Sequence, residues 1–290
     1  MTSDYENPAK LYLENHSIKS LADVIAYTNF LLVESGTSSE PPINFQAILG
    51  RFGIPEPKYV NLPQQQGMLL PNCEPLQMII HAGDSFTRRK FSIAHELIEA
   101  IFLELPGNIR FDGKKENIFG VAKERICNEA AANLLMPRES FHPRAMRGGL
   151  SFHTAEMLAD VYEVSLMASL CRLVDMYQKH GVMVLWQLKN KPIELKKEVP
   201  DSQIEMPGFH PTNLPAPKLR VAWSHGNLND LFIPEHKSIP DDSSVYEAWQ
   251  KDRFASGEEK IPFGRYNKQA IIESKPINIE GERHILSLIR

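Results

Sequence analysis

Cysteine is scarce in this chain: Cys73, Cys127 and Cys171 are the three present in 290 residues, odd in number and far apart. That pattern excludes a disulfide framework and suits a reducing cytoplasm. No run approaches the roughly 18 consecutive apolar residues of a membrane-spanning helix. The first residues, MTSDYENPAKLYLENHS, are polar with early acidic positions, which is not the pattern of a secretory leader. Neither sign of charge dominates. The formal net charge is −4 and the pI near 6.2, so bulk attraction to nucleic acid or anionic membrane is absent and either would need a local basic patch. Internal repeats and low-complexity tracts are missing too. What the chain does have is apolar residues, 42% of the total, enough to bury real cores, and a length that suits two or three small units.

Residues 17–35 carry Leu21, Val24, Ile25, Thr28, Leu31 and Leu32 at helical spacing, and GTSSEPP at 36–42 breaks that pattern. A second short helix is expected over 43–54, closed near Gly53 with Pro55 beyond. Extended pieces follow at 59–62, 67–70 and 76–82, the last a short apolar run that suits a strand. A helix opens after Asp84-Ser85 and runs through FSIAHELIEAIFLEL, with Ala94, Leu97, Ile98, Ile101 and Leu105 on its buried face and Pro106-Gly107 at its end. The polar stretch 107–120 reads as a loop. The next helix, 122–136, is rich in alanine, which permits close helix approach, and Pro137 stops it. Residues 138–180 have the outline helix, turn, helix, with the turn at 162–165. After Gly181 come β-like runs at 182–188, 219–224, 230–234, 268–274 and 284–289, separated by long proline-rich loops.

The chemistry concentrates on two helices. His95 and Glu99 are four apart and therefore project from one helix face. Two donors at that spacing can share one metal ion. Glu96 lies about 100° further round the helix, where its carboxylate can reach a water activated by the ion without occupying a ligand position. Two ligands, a neighbouring general base and a third ligand from elsewhere are what a metallohydrolase needs. The usual motif ends in histidine, whereas this one reads His-Glu-Leu-Ile-Glu. Two carboxylates and one imidazole around a divalent ion form a neutral site. Such a set weakens the ion as a Lewis acid and shifts preference from zinc toward manganese or iron. Taken alone, these residues also fit a solvated helix face.

The surroundings add to this. RRKFSIAHELIEAIF followed by ERICNEAAANLLMP resembles the paired helical blocks of the ImmA/IrrE family of metallopeptidases, and the second block, with Glu124, Asn128, Ala131, Ala132 and its Leu-Leu-Met-Pro end, is similar to the IrrE branch in particular. The resemblance implies an α+β fold. A zincin-like helical peptidase domain with a small sheet would fill 1–137 and a helix-turn-helix-like extension 138–180. A mostly β or α+β domain, GAF-like in IrrE, would occupy 181–290 and sense a signal or dock the substrate. It also implies that Glu124 is the third metal ligand beside His95 and Glu99, that Glu96 is the catalytic base, and that the ion is zinc, with manganese or iron as alternatives. The implied activity is endopeptidase cleavage of a protein substrate, a helix-turn-helix repressor, in a stress or mobile-element response. The chain departs from the family at Glu99. The competing reading is therefore a pseudopeptidase that binds a repressor or toxin partner without cutting it. If the protein is an active peptidase, Glu99→His should keep or raise zinc affinity and activity.

Other residues take plainer roles. Asn128 shares the face of Glu124 and either bonds a ligand or packs between helices; Cys127 reads as a small buried residue. His81, at a strand end, is a surface histidine or a substitute ligand. Arg88, Arg89 and Lys90 oppose the helix dipole at a helix start, which favours a functional reason for them, such as steering an acidic peptide. Trp186, Trp223 and Trp249 read as core residues or as the lining of a ligand pocket. A DNA-reading role for 151–180 is disfavoured, because 166–178 holds one arginine, no lysine and one aspartate. Segment 138–180 is accordingly expected not to bind duplex DNA. Salt-dependent, sub-micromolar binding in a titration followed by fluorescence anisotropy would contradict this.

Overall fold

Capping residues set where the first helices begin in a computed structural model of the chain, which describes residues 4–106, 121–191, 216–228, 231, 233–261, 263 and 269–290. Helix α1 (Pro8–Leu13) starts after Asn7, whose side chain accepts the Ala9 amide, and carries proline in its first turn, where no amide is needed. Periodicity gives no warning of so short a helix. Helix α2 (Leu21–Glu34) opens with a reciprocal capping box between Ser20 and Asp23 and buries Val24, Tyr27, Thr28, Leu31 and Leu32, the stripe read from the sequence. Helix α3 (Phe45–Arg51) is capped by Asn44.

Two compact units make up the chain: Met1–Gly149 with Thr154–Arg172, and Leu150–His153 with Leu173–Arg290. In the first, a three-stranded sheet has the order β1-β3-β2, with β1 (Lys58–Val60) parallel and β2 (Gly67–Leu70) antiparallel to β3 (Gln77–His81). Met78 and Ile80 alternate inward along β3, as period two requires. Helix α4 (Phe86–Glu104) begins where Ser85 Oγ accepts the Arg88 amide at 3.3 Å, and it buries Ala94, Leu97, Ile98 and Ile101. Helix α5 (Val121–Leu135) packs against α4, burying Ala130, Ala131 and Leu134. The small side chains let the two backbones approach closely. The loop expected at 107–120 lies outside the described residues.

Helices α6 (Arg138–Gly148), α7 (Phe152–Tyr162) and α8 (Leu166–Met176) follow. The α7–α8 turn comes where the helix-turn-helix outline puts it: Glu163 takes a positive φ of 54°, and Ser165 Oγ accepts the Ala168 amide at 3.1 Å. Arg172, the α8 arginine, turns inward. Its guanidinium donates to Asn133 Oδ1 at 2.7 Å and to the Met136 carbonyl at 3.1 Å, and Asn133 Nδ2 donates to Thr28 Oγ1 at 2.9 Å. This polar chain ties α8 to α5 and α2.

The second unit is α+β. Strands β4 (His180–Lys189), β5 (Lys218–Leu228), β6 (Ala255–Lys260), β7 (Gln269–Ile279) and β8 (Glu282–Ile289) form an antiparallel sheet of order β5-β4-β8-β7-β6. Helix α9 (Ser244–Lys251) contributes Val245 and Ala248 to the same core as Val182, Val184, Trp186, Val221 and Ile272 of the sheet. The Trp186 indole donates to Ser287 Oγ at 2.9 Å, and Ser287 meets Ser274 at 2.8 Å, so the polar groups buried with the tryptophan are paired. Three features differ from the sequence expectation. The run at 230–234 has none of its described residues, Leu231, Ile233 and Pro234, in a strand, and Ile233 instead plugs the core from a loop. Strand β6 and helix α9 were not expected. Trp186 is buried and Trp249 packs against the core, but Trp223 is 39% exposed and stacks on His225 with centroids 5.8 Å apart. No helix among the described residues is long and apolar enough to cross a membrane.

Gly226 in β5 has φ +96°, and a Cβ there would run into Val174 Cγ1 and lie 2.8 Å from the Gly181 carbonyl oxygen. Gly226→Ala is therefore expected to destabilise the chain by about 2–4 kcal/mol, from backbone strain and overpacking together. Chemical denaturation followed by circular dichroism measures this, and an unchanged midpoint would contradict it.

Candidate metal centre

Helix geometry brings the candidate residues together. One turn of α4 separates His95 from Glu99, and the first turn of α5 carries Glu124 against them. His95 Nε2 lies 3.7 Å from Glu99 Oε2 and 3.6 Å from Glu124 Oε2, and one donor atom from each of the three residues lies within 4.8 Å of the others. The edges of a tetrahedron with zinc-like bond lengths are about 3.3–3.6 Å. Two edges thus nearly match, while the carboxylates can draw in further by rotation. An imidazole nitrogen and two carboxylate oxygens are ordinary ligands for a first-row divalent cation, so the donor set fits one.

The outer contacts orient these donors. His95 Nδ1 meets Asn128 Oδ1 at 3.1 Å. With Nδ1 as donor, the Nε2 lone pair is left facing the two carboxylates. Of the two roles open to Asn128, the ligand-orienting one matches this contact. Glu99 Oε1 accepts from Lys123 Nζ, while its Oε2 faces His95. Lys123 is a site residue the sequence reading missed. It precedes Glu124 and nothing in the local pattern distinguishes it.

Glu96 points to the other side of the cluster. It is buried, at 4% exposure, and its Oε2 has no hydrogen-bond partner among the described residues. Strand β2 lies over it so closely that a Cβ on Gly67 would sit 2.7 Å from Glu96 Oε1. Together the residues line a cleft of about 480 Å³, whose lining also includes Gln66, Gly67, Met68, Arg88 and Phe91. Burial pushes the Glu96 carboxyl up to about 7, helped by the charge of Glu99 and opposed by His95 and Lys123. His95 and then Lys123 hold the Glu99 carboxyl down at about 2, against its own burial. For His95, burial pulls downward, but Glu99 and the charges of Glu96 and Glu124 outweigh it and the imidazole is raised. A cation arriving at Nε2 would take the place of that proton.

The remaining candidates lie elsewhere. His81 Nδ1 accepts the Leu62 amide at 2.9 Å, a strand-end contact, and His81 is not among the converging donors. Cys127 is fully buried, and burial pushes its thiol up to about 12, the opposite of a ligand thiolate. The basic cluster is divided. Arg88 Nε bonds Gln66 Oε1 at 3.2 Å beside the cleft, Arg89 lies over the Tyr59 ring, and Lys90 pairs with Glu163 at 2.7 Å. Two of the three are thus engaged away from the cleft, and Arg88 alone of the cluster borders it.

Residues 60–174 match the sequence profile of the IrrE N-terminal-like domain, a peptidase family. The fold is similar to that of a Mycobacterium tuberculosis transcriptional regulator, with TM-score 0.56 and 14% identity over 97% of this chain and 79% of that one; at that identity the likeness speaks for the fold alone. No curated protein matches the sequence significantly.

The buried Glu96 makes a pH prediction for metal-stripped protein. Its folded pKa of about 7 is above the ordinary value of 4.5. The stability that goes with holding its proton is therefore full below pH 4.5, declines as pH rises toward 7 and is gone above. Glu96→Gln, which cannot ionise, escapes this loss. Its stability relative to wild type is expected to grow by about 3 kcal/mol between pH 4.5 and pH 7.5. Urea denaturation at several pH values measures it, and a difference that does not change with pH would refute it.

Proposed function

We propose that this chain, which carries an IrrE N-terminal-like domain over residues 60–174, is a cytoplasmic metal-dependent endopeptidase that cuts a helix-turn-helix transcriptional repressor in a stress or mobile-element response. The observation that carries the reading is the convergence of His95, Glu99 and Glu124 within 4.8 Å in the lining of a cleft, with the buried Glu96 carboxylate beside them. His95, Glu99 and Glu124 would hold a divalent ion, zinc or else manganese or iron. When bound, that ion supplies Lewis acidity toward a peptide carbonyl and toward water. Glu96, buried beside the donor set, would accept a proton from the attacking water and return it to the departing amine. Gln66, Gly67 and Met68 of the cleft wall would lie alongside an extended substrate segment, and its closed side would keep bulk water from Glu96. The second unit, 181–290 in the sequence division, would sense a signal or dock the repressor, in line with a GAF-like reading of its five-stranded sheet and helix.

One observation favours a second reading. Lys123 already neutralises Glu99, which suits a pseudopeptidase that binds a repressor or toxin partner without a metal. The two readings separate on one experiment. Wild type and Glu96→Gln are incubated with any co-encoded helix-turn-helix repressor and with zinc, manganese or iron. Cleavage is followed by mass spectrometry and metal content by atomic emission. Wild type is expected to cut, and Glu96→Gln to retain the ion while losing at least about a hundredfold in rate. Wild-type protein that takes up none of the three ions would leave the partner-binding reading in its place.

A further inference from the structure

Glu99 presents its two oxygens to different neighbours. Oε2 faces His95 Nε2 at 3.7 Å, inside the converging donor set, and Oε1 accepts from Lys123 Nζ on the next helix. The pair is shielded, with the Lys123 side chain 15% exposed and that of Glu99 23% exposed. Lys123 touches neither His95 nor Glu124 in the contacts formed by their polar atoms. It acts on the donor set through Glu99.

We propose that Glu99 and Lys123 together replace a neutral ligand, with Lys123 as a positioning residue that cancels the extra carboxylate charge and fixes Glu99 as a one-oxygen donor. The inference rests on the metal-binding reading above. A set of one imidazole and two carboxylates carries one negative charge more than two imidazoles and a carboxylate. The Lys123 ammonium removes that excess, so the total around the ion returns to the value of the more usual set. The preference for harder ions, expected from the ligands alone, is thereby reversed in favour of zinc, because the donor strength of a carboxylate falls when its second oxygen is bound to a cation. The two positions then form one unit. Glu99→His on its own leaves the Lys123 ammonium shielded, without its carboxylate and next to a divalent ion, which is the costly way to break an ion pair.

The test is titration calorimetry of zinc and manganese into full-length, metal-stripped wild type, Lys123→Met, Lys123→Arg, Glu99→His and the double variant Glu99→His/Lys123→Met. Glu99→His is expected to bind zinc about tenfold or more weakly than wild type, a loss typical of disturbed outer contacts at metal sites. The double variant should return to within about threefold of wild type, a non-additivity that marks direct coupling. Lys123→Met should move the zinc-over-manganese preference toward manganese by about tenfold, and Lys123→Arg, which keeps the charge, should not. Zinc binding by Glu99→His as tight as wild type, or no recovery in the double variant, overturns the inference while the metal reading stands. Wild-type protein that binds neither zinc nor manganese overturns both.

Discussion

The close packing of α4 on α5 is the constraint from which the candidate centre follows. Ala94, Leu97 and Ile101 on one helix, and Ala130, Ala131 and Leu134 on the other, are removed from water. That burial sets the rotation of each helix about its axis. With the apolar faces so committed, His95, Glu99 and Glu124 meet between the two helices. The polar chain Thr28–Asn133–Arg172 acts on the far end of α5 and tethers it to α2 and α8. Apolar packing supplies the proximity and a few buried polar contacts remove the remaining freedom. A centre built of charged groups is thus held mainly by apolar packing, with the Arg172 guanidinium the charged member of the polar chain that fixes α5.

Much of this was legible in the sequence because both helices carry unbroken three- and four-residue periodicity, and because the quoted blocks around His95 and Glu124 are specific. The small sheet could be read from short apolar runs bounded by proline and asparagine. Lys123 could not, since its partner lies on another helix and the intervening segment has no pattern that fixes how the two helices rotate. The second unit was less legible for other reasons. Strand β6, ASGEEK, is an edge strand with almost no apolar content, so its conformation comes from pairing with β7 rather than from its own side chains. The run at 230–234 shows the converse: Ile233 is apolar for packing, and no ladder forms at the described residues around it. Trp223 was misjudged because a large aromatic on a strand says that one face is apolar without saying which face the core takes.

Glu96 and Glu99, three residues apart on one helix, occupy opposite electrostatic environments. One is buried without a cation and held toward its protonated form; the other lies between an imidazole and an ammonium and is held ionised. Two identical side chains are thereby made chemically different, one suited to exchanging protons and one to donating electron pairs. That separation comes first from the burial of Glu96 and from His95 beside Glu99, with Lys123 adding to it at Glu99.

The absence of a side chain at Gly67 bears on how such a protein can change over time. A methyl group there would meet the side chains of Glu96 and Ile80 rather than backbone, so the fold can absorb it while the carboxylate cannot stay where it is. Selection for stability would scarcely notice such a change, but selection for chemistry would. On the proposed endopeptidase reading, new substrate preferences would then arise from Gln66, Met68 and Arg88, which also line the cleft, with Gly67 left as a fixed point between variable neighbours.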